Sequence, residues 1–171
     1  NGVKKGTIDA KGAVNNLVSN HLMTLLEADG IKTHLVETLN DRDTVVKKVT
    51  IIPLEVIVRN IAAGSLAKRL GLAEGTKMAK TVLEYCYKKD ELGDPMVNQY
   101  HIAAMGIASQ DELEQIAEMA FHINTFLKIP ENRKTNGNGN KVRVKLGKGM
   151  FCVSILRRGL KYLVSLNSDF L

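Results

Sequence analysis

Ile51-Ile52-Pro53-Leu54-Glu55-Val56-Ile57-Val58 is the stretch that most limits how this chain can fold. Five of its eight residues are Ile or Val, and only Pro53 and Glu55 interrupt the apolar run. β-Branched side chains lose rotamer freedom in a helix and pack well on a pleated surface. The run therefore predicts a strand buried on at least one face, which the rest of the chain must cover. Arg59 follows directly, and Ala62-Ala63-Gly64 then offers no bulk, so a ligand can approach the backbone closely. Ser65 is the predicted N-cap of a helix, with Leu66, Arg69 and Leu70 at helical spacing. A strand ending in Arg, a small-residue turn and a Ser-capped helix make an anion site. Backbone N–H groups and the positive helix end face the anion, and Arg59 supplies a bidentate fork. A phosphate monoester is the natural guest. The competing reading pairs Arg59 with Glu55 beside an ordinary helix cap, and spacing alone leaves the two level.

Composition bounds the rest. A chain of 171 residues has room for one or two small domains with a real core. The apolar fraction of 44% and charged fraction of 25% are globular values. Cys86 and Cys152 stand far apart, with no CxxC and no His at metal spacing, which argues against a disulfide framework or a zinc site and for a reducing compartment. No stretch is long and apolar enough for a membrane-spanning helix. The polar, Gly-rich start does not read as a signal peptide, and a start without Met suggests a piece of something longer. The net charge of +6 is unevenly spread. Residues 1–127 carry 14 Lys and Arg against 16 Asp and Glu, whereas residues 128–171 carry ten against two. The basic character thus belongs to the tail and says nothing about the body.

In chain order, residues 1–12 read as a turn-rich lead. Val14 to Leu26 has apolar residues at 14, 17, 18, 22, 25 and 26, a helical period ended by Asp29-Gly30. Thr33–Leu39 alternates and predicts a short strand, Asn40–Asp43 a turn, and Thr44–Ile52 a strand with Lys47 and Lys48 embedded in it. Those lysines read first as solvated strand residues and second as nucleotide contacts. Leu66–Leu70 predicts a short helix closed by Gly71, Gly75–Lys80 a loop and Thr81–Tyr87 another strand. Lys88–Pro95 is a charged loop, in which Asp94 before Pro95 is expected to be extended. Ser109 with Glu112 forms a capping box opening the clearest helix of the chain. Leu113, Ile116, Ala117, Ala120, Ile123, Asn124 and Leu127 mark one face of it, and His122 reads as structural. The body holds no convincing nucleophilic triad or dyad.

These residues carry a resemblance. IIPLEVIVRNIAAGS resembles a signature of the SAICAR synthetase (phosphoribosylaminoimidazole-succinocarboxamide synthase) family of purine synthesis. NGVKKGTIDAKGAVNN, ADGIKTH, LNDRDTVVKKV, KRLGLAEGTK, YKKDELGDPMVN and the 109–127 helix resemble the family in order and spacing, over about residues 1–127. The resemblance implies an α+β fold of two mixed sheet and helix subdomains, residues 1–50 and 51–127, with an ATP and ribotide cleft between them. It implies an ATP-dependent C–N ligase of the cytoplasm. The carboxylate of carboxyaminoimidazole ribotide (CAIR) is phosphorylated by ATP, and the amine of L-aspartate displaces the phosphate to form an amide, with Mg2+ on the phosphates. Closure of such a cleft excludes water from the acyl phosphate.

By the same resemblance Arg59, Gly64 and Ser65 hold the ribotide phosphate, and Gly2 to Lys5, with Gly2 and Lys4 foremost, border that site. Val46, Lys47, Val49 and Ile51 line the adenine pocket. Lys88 and Asp94 lie near the reacting groups, and Glu55 orients Arg59 or a neighbouring backbone group. No metal ligand is assigned within these residues. A homodimer is common in the family. The family's glycine-rich hairpin would precede Asn1. Its second, acidic signature has no counterpart after residue 127, where Arg143-Val144-Lys145-Leu146-Gly147 is a faint echo. The chain alone is therefore expected to turn over weakly or not at all.

Residues 128–171 do not resemble the family. Asn136–Asn140 predicts a hairpin turn, Lys141–Leu146 a strand with one cationic face, and Phe151–Leu156 an apolar strand. A change of reading frame or divergence gives so abrupt a shift in composition. The alternative function is a non-catalytic protein that keeps the phosphate motif and binds nucleic acid through this basic hairpin. Sparse aromatics (Phe151, Tyr162, Phe170) make single-strand stacking, and nucleic acid as a partner, the weaker expectation.

Overall fold

The computed structural model describes residues 9–127, 150–158 and 161–166. The predicted hairpin turn at 136–140 and the strand at 141–146 lie outside the described residues. The apolar run forms the long strand β3 (Thr50–Ile61), as expected. It is preceded by α1 (Lys11–Ala28), β1 (Leu35–Thr38) and β2 (Thr44–Val46), and followed by α2 (Ser65–Leu70), β4 (Lys77–Tyr87) and β5 (Met96–Val97). Then come α3 (Gln99–Ala104), α4 (Gln110–Leu127), β6 (Met150–Arg158) and β7 (Lys161–Leu166). β1 and β2 pair in a small antiparallel sheet, and the other strands form a five-stranded sheet in the order β5-β4-β3-β6-β7. Helices and antiparallel sheets together make the fold α+β.

β3 sits at the centre of the larger sheet, antiparallel to both β4 and β6. Alternation sends its residues to two faces. Ile52, Leu54, Val56 and Val58 join the core with Ile102, Leu113, Ile116, Ala120 and Ile123 from α3 and α4. Pro53 is tolerated in so central a strand because the β3–β6 register is irregular between Ile51 and Glu55. Glu55, Ile57 and Arg59 take the opposite face, where cross-strand register sets Cys86 beside Glu55, Glu84 beside Ile57 and Val82 beside Arg59. One face of the sheet therefore holds the core, and the other carries charge.

The capping box of α4 is present: Glu112 N–H donates to Ser109 Oγ at 3.2 Å, and Ser109 N–H to Glu112 Oε2 at 2.9 Å. Its buried face carries Asn124, which exchanges hydrogen bonds with Asn60 of β3 at 2.7 and 3.3 Å. Thr81 of β4 donates to the same Asn60 at 3.1 Å, so strand, strand and helix share one polar tie. His122 Nε2 lies 3.0 Å from Asp29 Oδ2 and links α4 to the end of α1, a structural role as predicted. α3 was not predicted. It opens with a second capping box, Asn98 with His101, which sequence spacing could have disclosed.

The predicted helix is present as α1, with Leu26 buried together with Asn20 and Met23, while Val14 and Leu17 are 54% and 51% exposed. Asn20 faces the small sheet, where its amide donates to Thr38 Oγ1 at 3.0 Å and Thr44 Oγ1 at 2.7 Å, so a polar residue takes the inner position. The strand predicted over Thr44–Ile52 is two strands. Residues 47–49 leave the small sheet before β3 enters the large one, and Lys47 N–H donates to His34 O at 2.7 Å. The loop predicted for Gly75–Lys80 is already strand from Lys77, because β3 continues to Ile61 and pairs there with Lys77. Asp94 is not extended: its φ is +50°. Its carboxylate accepts from Lys89 N–H at 2.8 Å and from Lys88 Nζ, local bonds that hold an Asp in the left-handed region.

Candidate functional site

The charged face of β3 holds two clusters. The first is at the strand's C-terminal end. Arg59 is 4% exposed, and its Nε donates to Glu84 Oε2 at 2.7 Å. Glu84, 7% exposed, offers its other oxygen, Oε1, to Nη2 of Arg69 on α2. Arg59 Nη2 reaches Ser65 Oγ at 3.3 Å. Ser65 and Arg69 stand four residues apart on α2 and so share a face of that helix. The structure thus brings Arg59, Gly64 and Ser65 together, and it adds Glu84 and Arg69, which sequence reasoning missed. The signal for Glu84 was present: a lone acid in Thr-Val-Leu-Glu-Tyr-Cys-Tyr, with core residues on either side, has to find a cation.

Two details of this cluster depart from expectation. The carboxylate bonded to Arg59 Nε comes from Glu84, while Glu55 faces Lys88. Ser65 is the first helical residue rather than the cap, and Gly64 holds the cap position. Gly64 has φ +55° and ψ −125°, a conformation that side chains oppose. A Cβ built there meets nothing within 4 Å, so the whole cost of a substitution lies in the backbone. Gly64→Ala is therefore expected to destabilise the chain by about 1–3 kcal/mol in urea unfolding. It should also shift the turn that aims Ser65 toward Arg59.

The second cluster is at the other end of the β3–β4 ladder. Lys88 Nζ pairs with Asp94 and lies 3.9 Å from Glu55 Oε2. Lys88 N–H donates to Pro53 O at 3.0 Å, which anchors the loop to β3. The hydrogen bond to Asp94, with the charges of Asp94, Glu55 and Asp90, pushes the Lys88 pKa up. The bond from Lys88, with its charge and the Lys89 amide, holds Asp94 below the usual carboxylate range. Both groups stay ionised at neutral pH. Four residues of strand separate Glu55 from Arg59, about 13 Å at 3.3 Å per residue. Cys86 lies between the clusters, its thiol pushed up by burial and then by Glu55, Glu84 and Asp94, with Arg59 opposing. A thiol held above its ordinary pKa keeps its proton at neutral pH, the less nucleophilic form.

The Lys88–Asp94 pair gives a pH test. Asp94 has a lowered pKa in the folded chain, so its stabilisation is present above the ordinary carboxylate value and is lost as pH falls through the lowered one. Asp94→Asn should lower the urea midpoint at neutral pH, with the gap to the wild type closing as pH falls below the ordinary carboxylate range. An undiminished gap in acid would remove the ion pair as its cause.

The remaining candidates are more dispersed. Val46 and Ile51 are 45% and 64% exposed, while Lys47 and Val49 are half-buried. All four lie along the passage from β2 to β3. The Lys47 N–H is occupied by His34 O, and its Nζ lies 3.4 Å from Thr33 O. Gly2 and Lys4 lie outside the described residues. Among the described residues no three His, Cys, Asp or Glu side chains gather as ligands for a metal, and no helix is long and apolar enough to cross a membrane.

The chain is thus an α+β protein in which guanidinium and hydroxyl donors gather where a central strand turns into a helix, a donor set suited to an anion. Comparison with known proteins is more specific. A profile of the SAICAR synthetase family matches residues 1–134. The phosphoribosylaminoimidazole-succinocarboxamide synthase of Caldanaerobacter subterraneus subsp. tengcongensis is 60% identical over 127 residues, 74% of this chain and 54% of that protein. SAICAR synthetase from Pyrococcus horikoshii is 34% identical and superposes with a TM-score of 0.80, over 95% of this chain and 67% of that one. A SAICAR synthetase solved in complex with ADP matches with the same identity and TM-score, over 95% of this chain and 66% of that one. This chain belongs to the SAICAR synthetase family. It spans about half the length, 54%, of the Caldanaerobacter relative.

Proposed function

We propose that this chain is the ribotide-binding part of an ATP-dependent ligase that joins CAIR to L-aspartate, giving SAICAR, ADP and phosphate. The observation that carries the reading is the meeting of Arg59, Ser65 and Arg69 around the buried Glu84, at a turn that Gly64 makes passable. Arg59 and Ser65 grip the ribotide phosphate, with Gly2 and Lys4 bordering it. The ribotide then runs along the charged face of β3 toward Lys88. That distance is on the scale of an extended mononucleotide.

Lys88 and Asp94 act by charge rather than by moving protons, since each is fixed in its ionised form by the other. Lys88 stabilises negative charge that develops on the phosphorylated carboxylate, and Asp94 and Glu55 hold the ammonium in place. Val46, Lys47, Val49 and Ile51 form one side of the adenine pocket. With the Lys47 N–H occupied, the Lys48–Val49 backbone reads the base edge. The relative solved with ADP supports ATP as the phosphoryl donor. Magnesium is proposed as the counter-ion of ATP, held by phosphate and water oxygens. A cytoplasmic homodimer and the two-subdomain division at residue 50 belong to the same proposal, as does weak turnover by this chain alone.

Titration calorimetry of the 171-residue chain tests the reading. CAIR should bind at least tenfold more tightly than its dephosphorylated riboside, because the phosphate supplies the charge-assisted contacts. No preference for the phosphorylated form would refute it. The nucleic-acid alternative predicts instead oligonucleotide binding that falls steeply with salt, and the family match does not favour it.

A further inference from the structure

A phosphate monoester carries close to two negative charges at neutral pH. Arg59 alone cannot match them, since its Nε is bonded to the carboxylate of Glu84, and the two charges cancel. The same carboxylate also holds Arg69, one guanidinium on each oxygen. Glu84 with both arginines carries a net charge of +1, and Arg69 brings the surplus from α2. Its side chain is 38% exposed, against 5% for Arg59, so it stands at the solvent side of the cluster. Arg59 comes from β3, Arg69 from α2 and Glu84 from β4. Glu84 is the carboxylate that touches both guanidinium groups, and so ties two cationic side chains from separate elements to one spacing.

We infer that Glu84 is a positioning residue of the anion site, holding Arg59 and Arg69 as a two-guanidinium clamp that closes on the phosphate with Ser65. This rests on the ribotide reading above. A buried carboxylate satisfied by two arginines is costly to desolvate, and apolar residues in place of both Arg59 and Glu84 would stabilise the fold as well or better. Its presence is explained by the geometry that it imposes. Carboxylate oxygens can each accept a guanidinium bond, whereas an amide offers one acceptor and would turn its NH2 toward the other arginine.

The test measures dissociation constants of the full chain for CAIR and for its riboside, together with urea midpoints. Glu84→Gln keeps the shape and removes one negative charge. Simple electrostatics would then tighten CAIR binding. Positioning requires the opposite: CAIR binding loosens about tenfold, with riboside affinity unchanged. Tighter or unchanged CAIR binding overturns the inference, and so does equal loosening of both ligands, the mark of general damage.

Should Glu84→Gln fail to fold, Arg69→Gln and Arg69→Lys decide, since Arg69 is at the surface. The Gln variant should lose several-fold in CAIR affinity and nothing for riboside, and the Lys variant should recover only part of it, because a lysine keeps the charge without the fork. An Arg69→Gln variant that keeps the wild-type preference for CAIR overturns the inference while leaving the ribotide reading intact. A wild-type chain with no such preference removes the ribotide reading, and this inference with it.

Discussion

Replacing Arg59 with methionine is expected to cost the chain about 3 kcal/mol of stability and to weaken CAIR binding by roughly a hundredfold. Both effects have one origin. Arg59 is buried, and the carboxylate that it neutralises is buried too. Removing the guanidinium leaves Glu84 with Arg69, a partner that faces solvent. Urea unfolding reads the first effect and calorimetry the second. The double variant Arg59→Met with Glu84→Leu separates them: stability should return, since neither buried charge of the pair remains and Arg69 faces solvent, while CAIR affinity stays low. Unchanged CAIR binding in Arg59→Met would end the phosphate assignment, whatever its stability.

Ile116→Ala should remove about 2–5 kcal/mol, among the largest losses available to a single truncation in this chain. Ile116 is fully buried on α4, in the cluster that contains Leu54, Val56 and Val58 of β3. Its loss opens a cavity directly behind the strand that carries Arg59. Gln115, its exposed neighbour, provides the control, and Gln115→Ala should stay within about 0.5 kcal/mol. At temperatures where the Ile116→Ala protein remains folded, CAIR affinity should change little, because the packed face and the charged face of β3 are opposite sides of one sheet. A large loss of affinity in the folded variant would show that the two faces are coupled.

What the sequence disclosed was local. Ser109 and Glu112 are three residues apart, and so the start of α4 could be read directly. Arg59, Gly64 and Ser65 lie within seven residues, and their meeting follows from a strand running through a turn into a helix. Glu84 lies 25 residues from Arg59 in the chain, and only the β3–β4 register brings it there. The pairing of Glu55 with Arg59 was the nearer guess along the strand, but the cross-strand partner supplied the bond to Nε. The burial of Asn20 on α1 was not legible for a similar reason. Periodicity weighs apolar residues, whereas Asn20 is buried because two threonines of the small sheet bind its amide. Asp94 defied the usual preference before proline through bonds to Lys88 and Lys89, which no neighbour rule contains.

The pairing of β3 with β6 has a consequence for synthesis. Arg59 lies opposite Met150, roughly ninety residues further along the chain. At ~5–20 residues per second, a ribosome delivers β6 some 5–20 seconds after β3. For that interval the central strand of the larger sheet has one edge open and is a template for any other extended segment nearby. Newly made chains of this protein are thus most vulnerable to aggregation before β6 and β7 emerge.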